Sequence, residues 1–189
     1  MSDDAEWPGE PFWDYSLELY RRPGVEEACL ELQRRHGLDV NLLLLCCWLG
    51  ARGIALDRAA LARAELAVRA WQVEVVQPLR AVRRRLKAKL GDPDPMSVHE
   101  GWPDLAQALR RRVLGLEIDA ERLEQLALAR SVAGLPRSDA SGPSLAVRHF
   151  RRYWTFDERD RHALTALLAG AFPEAGARAL EQSLGWLDA

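Results

Sequence analysis

Apolar residues recur at spacings of three and four along almost the whole chain, and no stretch alternates apolar with polar residues as a half-buried strand does. The pattern predicts an all-α protein. A first short helix is expected over residues 12–22 and a second over 23–36. Pro23 suits the second helix's first turn, where its missing N–H is not needed, and Gly37 suits the left-handed position that stops it. Val25, Cys29 and Leu32 form its buried stripe. Asp39 is placed to cap a third helix over 40–52, which is apolar on nearly every side and so marks the centre of the core. Asp57 opens a long fourth helix reaching to about residue 90, where Leu61, Val68, Val75 and Val82 recur every seven residues and Pro78 is expected to kink or divide the rod.

The fifth helix, over 103–133, carries the most regular pattern. Ala106, Leu109, Val113, Leu116, Ala120, Leu123 and Ala127 alternate steps of three and four, the 3.5-residue period of antiparallel helical hairpins and coiled coils. Three short helices over 144–153, 157–172 and 173–186 complete the chain. Residues 1–10 read as a flexible tail, 91–103 as a loop, and 134–143 as a polar, mobile loop. The expectation is one all-helical domain over 1–189, a bundle of about eight helices dominated by a long antiparallel helical hairpin.

Composition narrows the function more than the fold. With 189 residues, 48% apolar and 29% charged, the chain can bury a full core without disulfides or metal. A net charge of −2 provides no global attraction to nucleic acid or membrane. Three cysteines, Cys29, Cys46 and Cys47, sit among apolar neighbours; an odd count with two adjacent members is not a disulfide framework. The acidic start MSDDAEWPGEP has no apolar signal core, and the apolar run at 40–50 is too short to span a bilayer. These readings predict a cytoplasmic protein with no membrane insertion.

Candidate chemistry is sparse. The four histidines His36, His99, His149 and His162 share no metal-ligand spacing, no Cys-x-x-Cys occurs, and there is no G-x-S-x-G, P-loop or G-x-G-x-x-G, so no catalytic residue, metal or cofactor is expected. The local charge pattern says more. Arg80, Arg83, Arg84, Arg85, Lys87 and Lys89 crowd the end of the fourth helix, and Arg110, Arg111 and Arg112 lie near the start of the fifth. In a hairpin these cations gather at one tip, while Glu117, Asp119, Glu121 and Glu124 fall in the other half. The expected partner- or phosphate-binding residues are Arg80, Arg83, Arg84, Lys87, Arg110 and Arg111. A second expectation is a pocket between helices involving Trp13, Tyr15, Asp39, Asn41, Trp48 and Trp71.

The segments FWDYSLELY, PGVEEACLELQ and GLDVNLLLLCCWLG, continuing through Trp71 and Pro78, resemble a family of small all-helical bacterial proteins found mainly in proteobacteria and classed as a conserved domain of unknown function. The resemblance implies a helical fold in a bacterial cytosol and brings no catalytic residue, cofactor or partner. The function expected from the residues is a non-catalytic interaction or regulatory protein with a protein partner. The alternatives are nucleic-acid binding by the arginine-rich tip, joined by Arg151 and Arg152, and a helical enzyme or carrier with an apolar pocket. Helical hairpins also pair between copies, which adds a homodimer to the partner classes.

Overall fold

A computed structural model describes residues 7–90 and 101–185. The described residues form nine α-helices: α1 (Pro11–Tyr20), α2 (Val25–His36), α3 (Val40–Ala51), α4 (Arg58–Trp71), α5 (Gln77–Lys89), α6 (Trp102–Ser131), α7 (Pro143–Arg151), α8 (Arg161–Ala171) and α9 (Ala177–Leu184). They contain no strand, only one isolated bridge between Ile54 and Arg137. The all-α bundle is therefore as its periodicity predicts. Residues 1–6 of the expected tail and 91–100 of the expected loop lie outside the described residues.

Local chemistry explains the boundaries. The Asp39 carboxylate accepts a bond from the Asn41 N–H at 2.9 Å, and Asp57 accepts from the Ala60 N–H at 2.6 Å, so both aspartates cap helices as expected. Gly37 ends α2 with φ of 62°, and Gly24 begins it with φ of 78°, which leaves Pro23 in the preceding turn instead of inside the helix. Ten of the twelve residues of α3 are buried. It is wrapped by α1, α2, α6, α7 and α8. The closest crossings need glycine: a methyl group at Gly50 would lie 2.9 Å from the Ala146 backbone nitrogen of α7, and one at Gly170 of α8 would lie 2.3 Å from Val25 of α2.

Pro78 divides the fourth helix without ending the rod. Residues Gln72–Val76 form a π-helical segment, and the Gln77 N–H donates to the Gln72 carbonyl, five residues back. Proline has no N–H to donate and its ring collides with the carbonyl four residues earlier, so widening the preceding turn lets helix continue on both sides.

The segment after α6 is tied down, contrary to the mobile loop the sequence suggests. The Ala55 N–H donates to Pro136, the Ser138 N–H donates to the Gly53 carbonyl at 2.8 Å, and the Gly142 N–H donates to the Gly50 carbonyl at 2.9 Å. Its polar residues accompany a backbone that is bonded to the end of α3, and side-chain composition does not reveal such bonds. Two long-range polar anchors add to the closure. His149, fully buried, accepts from the Leu56 N–H on Nε2 at 3.2 Å, which leaves Nδ1 to donate to the Cys46 carbonyl at 3.2 Å. Asp160, also fully buried, meets His36 at 2.9 Å and Arg35 at 2.8 Å, joining α2 to the start of α8.

Candidate interaction surface

The α5–α6 pair stands apart from this core. No residue of α5 is buried, and the central apolar cluster draws from α6 only near its C-terminus, at Ala127, Leu128 and Ala129. The two helices run antiparallel, because Arg80 bonds Glu121 and approaches Glu117 at 3.5 Å while Arg83, farther along, bonds Glu117. Trp71 fixes the root of this arm by donating its indole N–H to the Ala120 carbonyl at 2.9 Å.

The inward face of α6 sets polar side chains among apolar ones. Glu117 is buried and held by both nitrogens of the Arg83 fork, and Gln125 donates to the Asn41 side-chain oxygen at 2.8 Å inside the protein. Glu124 is 1% exposed, and neither carboxyl oxygen has a hydrogen-bond partner among the described residues. Burial first, and then the nearby Asp39 carboxylate, push its pKa up to about 9, so it is protonated at neutral pH. Glu121 is raised for the same leading reason, with Arg80 opposing.

This face revises the expected cationic tip. Arg80 and Arg83 are part-buried and ion-paired to α6, whereas Arg84, Lys87 and Arg111 are exposed and Arg110 is half-buried. The six residues thus divide between a neutralised root and an exposed distal surface. The apolar seam divides too. Ala106, Val113 and Ala120 turn inward, but Leu109, Leu116 and Leu123 face out, their inward positions taken by Glu117 and Glu124.

The residues expected to share a pocket do not meet in one. Asp39 lines a cavity of about 720 Å³ with His36, Gln72, Arg80, Arg84 and Trp154. Trp48 lines a separate one of about 490 Å³ with Arg52, Leu126 and Leu135. Trp13 is buried beneath Arg122, whose guanidinium also lies 4.6 Å from the Trp7 ring. Asn41 is engaged with Gln125, Trp71 with Ala120, and the half-buried Tyr15 has a hydroxyl that burial raises above its ordinary pKa. The sequence pattern does not point to His36 and Gln72 as lining residues of the larger cavity, because only the fold sets α2 across that cavity from the α4–α5 rod. The two aromatic clusters of the chain also keep separate ring contacts: Phe12 meets Trp48, while Phe150, Tyr153, Trp154 and Phe156 stack among themselves and with His36.

Among the described residues no group of three or more His, Cys, Asp or Glu is placed to hold a metal ion, and no helix is long and apolar enough to cross a membrane. The fold and its surface define an all-α bundle with a two-helix arm whose outer side is exposed. The chain belongs to the family described as "Protein of unknown function (DUF2390)", whose model matches residues 11–128, from α1 nearly to the end of α6. No curated protein matches the chain, and no solved structure does.

Proposed function

We propose that this chain is a non-catalytic interaction protein of the cytoplasm that binds a protein partner through its α5–α6 arm. The observation that carries this reading is the set of large apolar residues left in water on the arm. Val82, Leu105, Leu109, Leu116, Ile118 and Leu123 are all exposed, beyond the region the core can cover. Apolar surface gathered on one part of a molecule is a usual mark of a contact site. Exposed Arg84, Lys87 and Arg111 lie on the same two helices and would set partner choice and association rate more than affinity. The three cysteines are all free and buried, which suits a reducing compartment.

The test is capture of partners by the intact chain, by Leu109→Glu and by Arg84→Glu/Lys87→Glu/Arg111→Glu, each with and without nuclease. Capture lost with Leu109→Glu, indifferent to nuclease and weakly dependent on salt, supports an apolar protein contact. Capture that needs nucleic acid, and falls by about one logarithmic unit per logarithm of salt for each phosphate engaged, replaces it with the nucleic-acid reading.

The larger cavity favours a second reading. Arg34, Arg69, Arg80 and Arg84 line it beside Trp154 and outnumber its two carboxylates, Asp39 and Glu65. That lining suits a small anionic ligand, in place of the apolar ligand the sequence suggests. Thermal shifts with phosphate and simple carboxylates, lost in Arg84→Glu, are the outcome this reading requires.

A further inference from the structure

Six exposed residues of α6 fall on one stripe: Leu105, Leu109, Arg112, Leu116, Asp119 and Leu123, with steps of four and three throughout. The leucines are 69%, 47%, 57% and 43% exposed, and Arg112 and Asp119 are exposed as well. At 1.5 Å per residue the stripe is about 27 Å long. Such a 3.5-residue period on an isolated helix face is the seam of a helix pair whose second member is missing.

The order of charges on the stripe identifies that member. Arg112 and Asp119 lie four residues before and three after Leu116, and Leu109 and Leu123 lie seven residues to either side of it. Reversed about Leu116, residues 109–123 therefore read leucine against leucine and, to within one residue, arginine against aspartate. Arg112 and Asp119 are about 10 Å apart along their own helix, too far to pair with each other. Neither takes part in an ion pair among the described residues. Gly115 supports the same arrangement independently. It sits in the middle of a 30-residue helix, where glycine costs about 1 kcal/mol relative to alanine, yet a methyl group there would meet nothing within 4 Å. No neighbour in the fold requires it, and it lies next to the midpoint between Arg112 and Asp119, where two crossing backbones would approach most closely.

We infer that the partner on this face is a second copy of the chain, its α6 antiparallel to the first about a two-fold axis near Gly115–Leu116, so that Arg112 of each copy pairs with Asp119 of the other. A two-fold contact uses the same patch on both subunits, which is what a stripe complementary to its own reverse provides. The inference rests on reading the arm as a contact surface and names the occupant.

The experiment measures mass in solution by light scattering and sedimentation for the full chain, Arg112→Asp, Asp119→Arg, and an equimolar mixture of the two, with circular dichroism to confirm that each is folded. At ~100 µM the wild-type chain is expected to be mainly dimeric, which corresponds to a Kd of about 10 µM or tighter. Each single reversal replaces two attractive contacts with two repulsive ones and should weaken pairing roughly tenfold. The mixture should recover it. In a mixed dimer, position 112 of the Arg112→Asp chain is acidic and faces the unchanged Asp119 of neither copy, but the arginine that Asp119→Arg introduces in the other. A monomeric wild-type chain, a dimer indifferent to either reversal, or a mixture no tighter than its components would overturn the inference. Capture of a different protein by a monomeric chain through Leu109 and Leu116 also overturns it, while leaving the arm as a contact surface.

Discussion

A carboxyl group in water is ionised at pH 7, but Glu124 sits in the polar heart of α6 with no bond to either oxygen among the described residues. Its pKa rises from the ordinary 4.5 to about 9 on folding, so the fold favours the protonated form. The sign follows from linkage: the contribution is complete below pH 4.5, declines as pH rises, and is gone above about 9. His149 works in the opposite sense. Burial lowers its pKa from 6.5 to about 4, so its contribution is complete above pH 6.5 and is lost as the pH falls toward 4. The two windows overlap below pH 6.5 and separate above it. Urea midpoints should therefore fall from pH 6.5 to 9 in the wild-type chain, and Glu124→Gln should flatten that slope and be the more stable protein at pH 8.5. A slope unchanged by the substitution would remove Glu124 from the account. The thiols give a simpler residue-scale prediction. Burial pushes Cys29 up to about 12 and raises Cys46 and Cys47 well above the ordinary thiol range, so alkylation of the folded chain should be undetectable at pH 8, and all three should react once urea unfolds it.

At the scale of elements, the sequence disclosed the positions of helices better than their facing. Asp39, Asp57 and Gly37 act locally, and each marks the boundary where the pattern put it, because a cap needs only the next few residues. The rotation of α6 about its own axis depends on distant partners. A 3.5-residue seam contains two half-stripes, and apolarity alone ranks Leu109, Leu116 and Leu123 above Glu117 and Glu124 for burial. At Glu117 the order is reversed because Arg80 and Arg83 on the antiparallel α5 supply the countercharge that makes its burial tolerable, and at Glu124 burial favours the protonated, uncharged form. The same pairing removes those two arginines from the free cationic surface that their spacing suggests. Stability measurements can separate the two groups. Arg83→Glu leaves Glu117 buried beside a like charge and should cost about 3–5 kcal/mol. Arg84→Glu, on the exposed side, should stay within about 0.5 kcal/mol. Equal losses would mean that the α5–α6 joint is not held by the Arg83–Glu117 pair.

For the whole molecule, the family match ends at residue 128, but the core does not. Leu145, Ala146, Val147 and Phe150 of α7 and Leu164, Leu167 and Leu168 of α8 are buried, and these helices cover α3 and α2. A chain ending at Ser131 would expose that apolar face and should fail to give a cooperative thermal transition, whereas the full chain should unfold in one. A cooperative transition in the shortened chain would show that α1–α6 form a stable unit alone. The crossing of α3 and α7 is equally intolerant of bulk. Gly50→Ala places a methyl group against the backbone of Ala146 and should cost about 1–3 kcal/mol.

The π-helical segment before Pro78 also governs the azimuth of everything that follows it. Each residue of an α-helix turns the chain by about 100°, so the residue that the widened turn absorbs sets the phase between α4 and α5. Deleting one residue from 72–76 would restore an ordinary helical turn with the Arg80–Arg83 edge still toward Glu117, whereas a deletion elsewhere in α4 would swing that edge about a quarter of the way round the rod. One vernier turn thus couples the length of the chain to the direction its arm presents.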